Sequence, residues 1–214
     1  MARVSVLVSG GGANLQSILD AYHFRETPEM EIGAVISSAP EAYALERARA
    51  AGVPAYVVAR ELFPNHASFC NALLAKLRDL DTDLVVTAGF GERLNYPILR
   101  FYRERVIAVQ PALFPAFCDG GFDPVRALEG TLRLGLRWSG ATAYFMGEED
   151  NGCGPVILQQ PVEVLPGDSM ATLQERIMRE GEWLVLPQAV ALYCQGRLSV
   201  AGERVSIAGT LENQ

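Results

Sequence analysis

Apolar residues in the first half of the chain follow two alternating patterns: short unbroken runs, and longer stretches with an apolar position every third or fourth residue. Residues 4–8 form a β-branched run ending in Ser9 and three glycines, which reads as a buried strand followed by a turn. Over residues 13–22, Leu15, Ile18, Leu19 and Tyr22 recur at helical spacing. Further strands are expected at 31–36, 55–58, 84–87 and 106–109, with helices at 42–51, closed by Gly52, and at 66–80. Strands alternating with helices in this way predict a doubly wound, mostly parallel sheet with helices on both faces.

The second half changes character. Residues 142–146 and 156–164 read as longer strands around an Asn-Gly turn at Asn151 and Gly152. Residues 171–195 read as one long amphipathic helix ending at Gly196, and 197–207 as a terminal hairpin turning at Gly202. No repeat, low-complexity tract or linker interrupts the chain. The expectation is one α/β domain over residues 1–214 with a mixed C-terminal half.

Composition narrows the function. With 50% hydrophobic and 20% charged residues the chain is an ordinary globular one, and a net charge of -7 argues against a nucleic-acid partner. No segment is long and apolar enough for a bilayer, and the start MARVSVLVSGGG lacks a signal peptide's features, so no membrane partner and a cytoplasmic location are expected. Cys70, Cys118, Cys153 and Cys194 are scattered without a CxxC pair, which reads as free thiols and no metal site. Trp138 and Trp183 read as packing residues. His23 and His66 read as helix-end residues outside any catalytic role. The sequence leaves monomer and homodimer both open.

The first turn carries the clearest chemistry. In SGGGANLQ, Gly12, Ala13 and Asn14 lie between a strand and a helix start, where backbone N–H groups and the helix dipole favour an anion. Leu15 breaks the GxGxxG spacing, and Ser37 and Ser38 stand where a dinucleotide site would want an acid. A phosphomonoester fits better than NAD.

Four further stretches, with this loop, resemble the glycinamide ribonucleotide formyltransferases: ALERARAAGVP, AVQPALFP, GATAYFM with CGPVILQQPVEVLPGDS, and EGEWLVLPQAVALYCQGRL. They follow the family's order along nearly the whole chain. The resemblance implies the formyltransferase-like fold, 10-formyltetrahydrofolate as co-substrate, no metal, and a phosphorylated small-molecule partner such as glycinamide ribonucleotide. In the family's reaction, which belongs to purine biosynthesis, a formyl group passes to the ribonucleotide's amine. An Asn amide and a protonated His stabilise the oxyanion, and an Asp holds the His.

Carried onto this chain, the family's Asn falls on Ala108, its His on Gln110 and its Asp on Gly152. A Gln amide donates a hydrogen bond but carries no proton. Asp150, two residues before Gly152, is the displaced carboxylate a working enzyme would use with Gln110. The helix after the central loop often carries another His, and here Leu128 and its neighbours occupy that region. Binding positions are better kept. The resemblance implies that Gly12, Ala13, Asn14, Pro111 and Glu182 contact the ribonucleotide, with Pro115 keeping the loop's shape, while Gly89, Phe90 and Leu94 line the folate cleft. Glu92 stands where several members have Arg and would repel an acidic folate tail. These substitutions predict a member impaired or inactive in formyl transfer. The alternatives are a non-catalytic binding or regulatory paralogue, or an enzyme of another phosphorylated metabolite using Asp119, Asp123, Glu148, Glu149 and Asp150.

Overall fold

The computed structural model describes residues 1–23, 29–118, 121–147 and 153–209, and at residues 22 and 23 the backbone alone. The expectations that fall on Asp119, Glu148, Glu149, Asp150, Asn151 and Gly152 lie outside the described residues.

Five parallel strands form the first half of one nine-stranded sheet: β1 (Ala2–Val8), β2 (Met30–Ser37), β3 (Ala55–Val57), β4 (Leu84–Thr87) and β5 (Val106–Gln110), in the order β3-β2-β1-β4-β5. Beyond β5 come β6 (Trp138–Phe145), β7 (Val156–Glu163) and the hairpin β8 (Leu198–Ala201) and β9 (Arg204–Ile207), in the order β6-β7-β9-β8. The β5/β6, β6/β7 and β8/β9 pairs are antiparallel and β7/β9 is parallel, so the doubly wound front and mixed back match the expected class.

The period of two in the strands decides what each face carries. Val4, Val6 and Val8 of β1 point to one side and pack with α1 (Ala13–Ile18), α2 (Ala44–Ala50), α6 (Met170–Ile177) and α7 (Trp183–Cys194). Leu7 points to the other side, with Ile36, and meets Phe69, Leu73 and Leu77 of α3 (His66–Asp79) and Ile98 of α4 (Tyr96–Phe101). The helix α5 (Pro124–Arg133) follows the central loop. A third, smaller apolar cluster joins Ala108, Phe114 and Tyr144.

Four expectations need correction. Residues 171–195 are not one helix: α6 and α7 are separated by a π-helical turn over Met178–Glu182. At that turn Gly181 packs so tightly that an added Cβ would meet that of Ala141 at 2.9 Å. The wider turn brings the backbone onto the sheet, and Pro187 one turn later donates no backbone hydrogen bond. The helix 13–22 likewise divides, α1 passing into a π-helical turn over Leu19–His23. The cysteines are not all thiols, because Cys118 and Cys153 form a disulfide. Trp138 opens β6 with 58% of its surface exposed and joins no core cluster. Among the described residues, no helix is long and apolar enough to cross a membrane.

Candidate functional site

The loop after β1 is held from three sides. Gly12 caps α1 with φ 72°, a left-handed conformation that suits glycine, and a Cβ there would lie 2.7 Å from that of Ala44. The Ala44 N–H donates to the Gly10 carbonyl at 3.0 Å and Arg47 Nε to that of Gly11 at 2.8 Å. Ser9 shares a 2.7 Å hydroxyl hydrogen bond with Ser38, and its Oγ accepts from the Gly91 N–H at 2.8 Å. Two loop carbonyls are thus turned toward α2. At Gly10 and Gly11 an added Cβ would meet nothing within 4 Å, so the loop's outer side is open.

Sequence reasoning assigned Asn14 and Glu182 separately, 168 residues apart. The fold joins them: Asn14 Nδ2 donates to Glu182 Oε2 at 2.8 Å. Burial pushes the Glu182 carboxyl above the usual glutamate value, and the Asn14 amide offsets only part of that. Asn14 Oδ1 is buried without a hydrogen-bond partner. The pair therefore joins a buried, unsatisfied acceptor to a carboxyl whose ionisation burial opposes.

The central loop lies at the carboxyl end of β5. Gln110 is half-buried and stands opposite Thr142 of β6. The chain then passes buried Pro111 and folds over the sheet, where Thr142 and Gln159 fasten it. Thr142 Oγ1 donates to the Ala112 carbonyl at 2.6 Å and accepts from the Phe114 N–H at 3.1 Å. Gln159 Nε2 donates to the Phe114 carbonyl at 3.0 Å and to Thr142 Oγ1 at 2.9 Å. Sequence reasoning missed both positioning residues. Their signal was two polar residues within apolar strands, which only the β6/β7 register brings opposite each other.

The folded-back loop covers Ala108. This residue is 3% exposed and clusters with Phe114 and Tyr144, and Met146 and both bridged cysteines pack against that cluster. The Phe114 ring centroid is 4.9 Å from that of Tyr144 and 5.4 Å from that of Phe122. An apolar cluster occupies the position where the resemblance calls for an amide.

The remaining candidates divide. Phe90 is half-buried against Phe69, with centroids 6.4 Å apart, and offers an apolar wall. Leu94 has no exposed surface and backs that wall from the core. Glu92 lies 3.7 Å from Arg60 Nε, which reduces the repulsion expected of it. Asp123 is used as the N-cap of α5, accepting from the Arg126 N–H at 2.7 Å. His66 Nε2 hydrogen-bonds the Arg93 carbonyl at 2.9 Å, on α3. Among the described residues, no group of three His, Cys, Asp or Glu is arranged to hold a metal ion.

The formyl transferase family profile matches residues 2–190. The chain is 32% identical to the phosphoribosylglycinamide formyltransferase of Haemophilus influenzae, over 92% of this chain and 90% of that protein. It is 34% identical to the trifunctional purine biosynthetic protein adenosine-3 of Bos taurus over 99% of this chain, and it spans about a fifth (20%) of that relative's length. Among solved structures, glycinamide ribonucleotide transformylase 1 from Symbiobacterium toebii superposes with a TM-score of 0.88 at 37% identity, covering 97% of this chain and 94% of that one. Fold and sequence together place the chain in the formyl transferase class of proteins. Within that class, the chain belongs to the phosphoribosylglycinamide formyltransferase family.

Proposed function

We propose that this protein binds a phosphorylated, ribose-bearing ligand such as glycinamide ribonucleotide at the loop after β1, in the cytoplasm, and is impaired or inactive in transferring a formyl group to it from 10-formyltetrahydrofolate. The observation that carries this reading is the burial of Ala108 among Phe114 and Tyr144. Formyl transfer needs a donor for the developing oxyanion and a group that moves a proton. Ala108 supplies no donor, and the Gln110 amide carries no proton. Loss of an oxyanion donor alone costs about 10²–10³ in rate.

The binding frame supports the other half of the reading. The open side of Gly10 and Gly11 leaves room for a phosphate close to backbone N–H groups. Asn14 and the Glu182 carboxyl bonded to it are half-buried polar groups at the end of the loop, which suits a sugar hydroxyl. For the folate, Phe90 offers the apolar wall, while Glu92 and its partner Arg60 replace an unpaired cation with an ion pair.

The test joins binding to turnover. Glycinamide ribonucleotide should raise the melting temperature, by mass action, whether or not chemistry follows. A steady-state assay with 10-formyltetrahydrofolate should give a kcat at least about 10²-fold below an ordinary value. Ordinary turnover would refute the impairment, and absence of any ligand-induced shift would refute the retained binding.

A further inference from the structure

The Cys118–Cys153 disulfide links the two segments that bracket the cluster around Ala108. Cys118 ends the loop folded back from β5, and Cys153 lies just before β7. Both residues are half-buried, and both line a cavity of about 930 Å³ together with Phe114, Pro115, Met146 and Gly154. We propose that this disulfide is a reversible redox modification site whose state sets how firmly the 113–118 turn is held against the start of β7, and so the shape of that cavity.

Three observations carry the inference. First, the bond is reachable, because both residues are half-buried and line the cavity as well as packing against the third, smaller cluster. Second, it is local. The fold has two large apolar clusters that do not include either cysteine, and Ala112 and Phe114 are fastened to Thr142 and Gln159 without the disulfide. Past Phe114 the turn has short-range backbone bonds, Ala116 N–H to the Leu113 carbonyl and Cys118 N–H to that of Pro115. Among the described residues, its wider attachments include Arg126 Nη2 to the Phe117 carbonyl at 3.1 Å, the Phe117 ring against Gly130, the packing of Cys118 on the third cluster, and the disulfide. Third, the other cysteines are poor exchange partners: Cys70 is buried, and burial pushes the Cys194 thiol up to about 12.

The step balances with an external dithiol. One thiolate of the dithiol attacks a protein sulfur, the Cys118–Cys153 bond breaks, and the second protein sulfur leaves as a thiolate. The dithiol's second thiolate then closes its own disulfide and expels the first protein sulfur. Two electrons and two protons reach the protein, which gains two thiols, while the dithiol is oxidised. Air or oxidised glutathione reverses the reaction. In a reducing compartment, disulfides in ordinary proteins are mostly transient or redox-sensing, which is the behaviour inferred for this one.

The test uses the full chain and requires no catalytic activity, so it stands apart from the reading above. The protein is equilibrated in glutathione buffers of graded reduced-to-oxidised ratio, alkylated and mapped by mass spectrometry. Expected is a reversible passage from linked to doubly alkylated Cys118 and Cys153 while a cooperative melt persists. Amide exchange at 112–118 and 153–157 should accelerate by at least about tenfold on reduction, with β1 and β4 unchanged. The Cys118→Ser/Cys153→Ser variant should show the reduced pattern and ignore the buffer, and Cys194→Ser should respond like the parent. Should the double variant not fold, reduction of the parent chain makes the same comparison. A link that dithiothreitol breaks only when the chain unfolds, or equal exchange in the two states, would overturn the proposal.

Discussion

Two neighbouring glycines do different work, and their substitutions separate fold from ligand. Gly12→Ala combines a left-handed φ of 72° with a Cβ 2.9 Å from the Ala44 backbone, and backbone is slow to yield. We expect a loss of roughly 1–3 kcal/mol in a denaturant melt. Gly11→Ala meets open space, so its melt should match the parent's, while its added methyl stands where an anion would approach. Loss of the ligand-induced shift in Gly11→Ala at unchanged stability would mark the loop as a binding element. Glu182 supplies a pH signature. Its folded value lies above the usual 4.5. Below 4.5 both states hold the proton and the contribution to stability is complete. As pH rises through that value the unfolded chain ionises first, and stability falls until the folded carboxyl also ionises. Melting temperature against pH should therefore decline over that window in the parent, and Glu182→Gln should remove the decline.

At the scale of elements, the turn into α6 is fastened by a set of bonds on one carboxylate. Asp168, 4% exposed, takes both Nη1 and Nη2 of Arg176, at 2.6 and 2.7 Å, and also accepts from the Leu165 N–H and the Thr172 hydroxyl. The hydrogen bonds from Arg176 hold its carboxyl well below the usual carboxylate range. Its stabilisation is thus complete above the usual aspartate value and is lost as pH falls below it. Asp168→Ala leaves the half-buried Arg176 with the Glu163 carbonyl in place of its carboxylate and should cost about 1–3 kcal/mol at neutral pH, with a smaller difference from the parent in strong acid, read from urea melts at both pH values. The sequence displayed this segment as part of the PGDS motif without revealing the ion pair. Elements with strong periodicity were legible: β1, β4, α3 and the terminal hairpin lie where the apolar pattern put them. The helix α4 escaped notice because its six residues are too short for periodicity, although Asn95 as N-cap and Pro97 after it were a readable start. The break between α6 and α7 was hidden because a π turn changes one hydrogen-bond step and leaves the apolar spacing almost intact. The cysteine pairing was hidden because a separation of 35 residues carries no information on proximity.

For the molecule as a whole, the question is whether the proposed impairment is a matter of single side chains or of a rebuilt site. The loop glycines, Asn14 and Glu182 could be named as candidates from sequence because local motifs carried them. The apolar filling of the site could not, since it depends on β5 and β6 register and on a loop folding back to bring Phe114 and Tyr144 onto Ala108. A rebuilt site predicts a specific failure. In Ala108→Asn/Gln110→His, the new amide enters an apolar cluster, and burying it without a partner should cost about 1–3 kcal/mol. The new imidazole has no carboxylate at position 152 to hold it. Groups of one catalytic unit act together, so turnover should remain far below an ordinary value in the double variant. Adding Gly152→Asp should give the first measurable gain, with a rate that follows titration of the introduced His. If instead the double variant alone turned over at an ordinary rate, the barrier would lie in two side chains, and Phe114, Tyr144 and the disulfide would be bystanders to the loss.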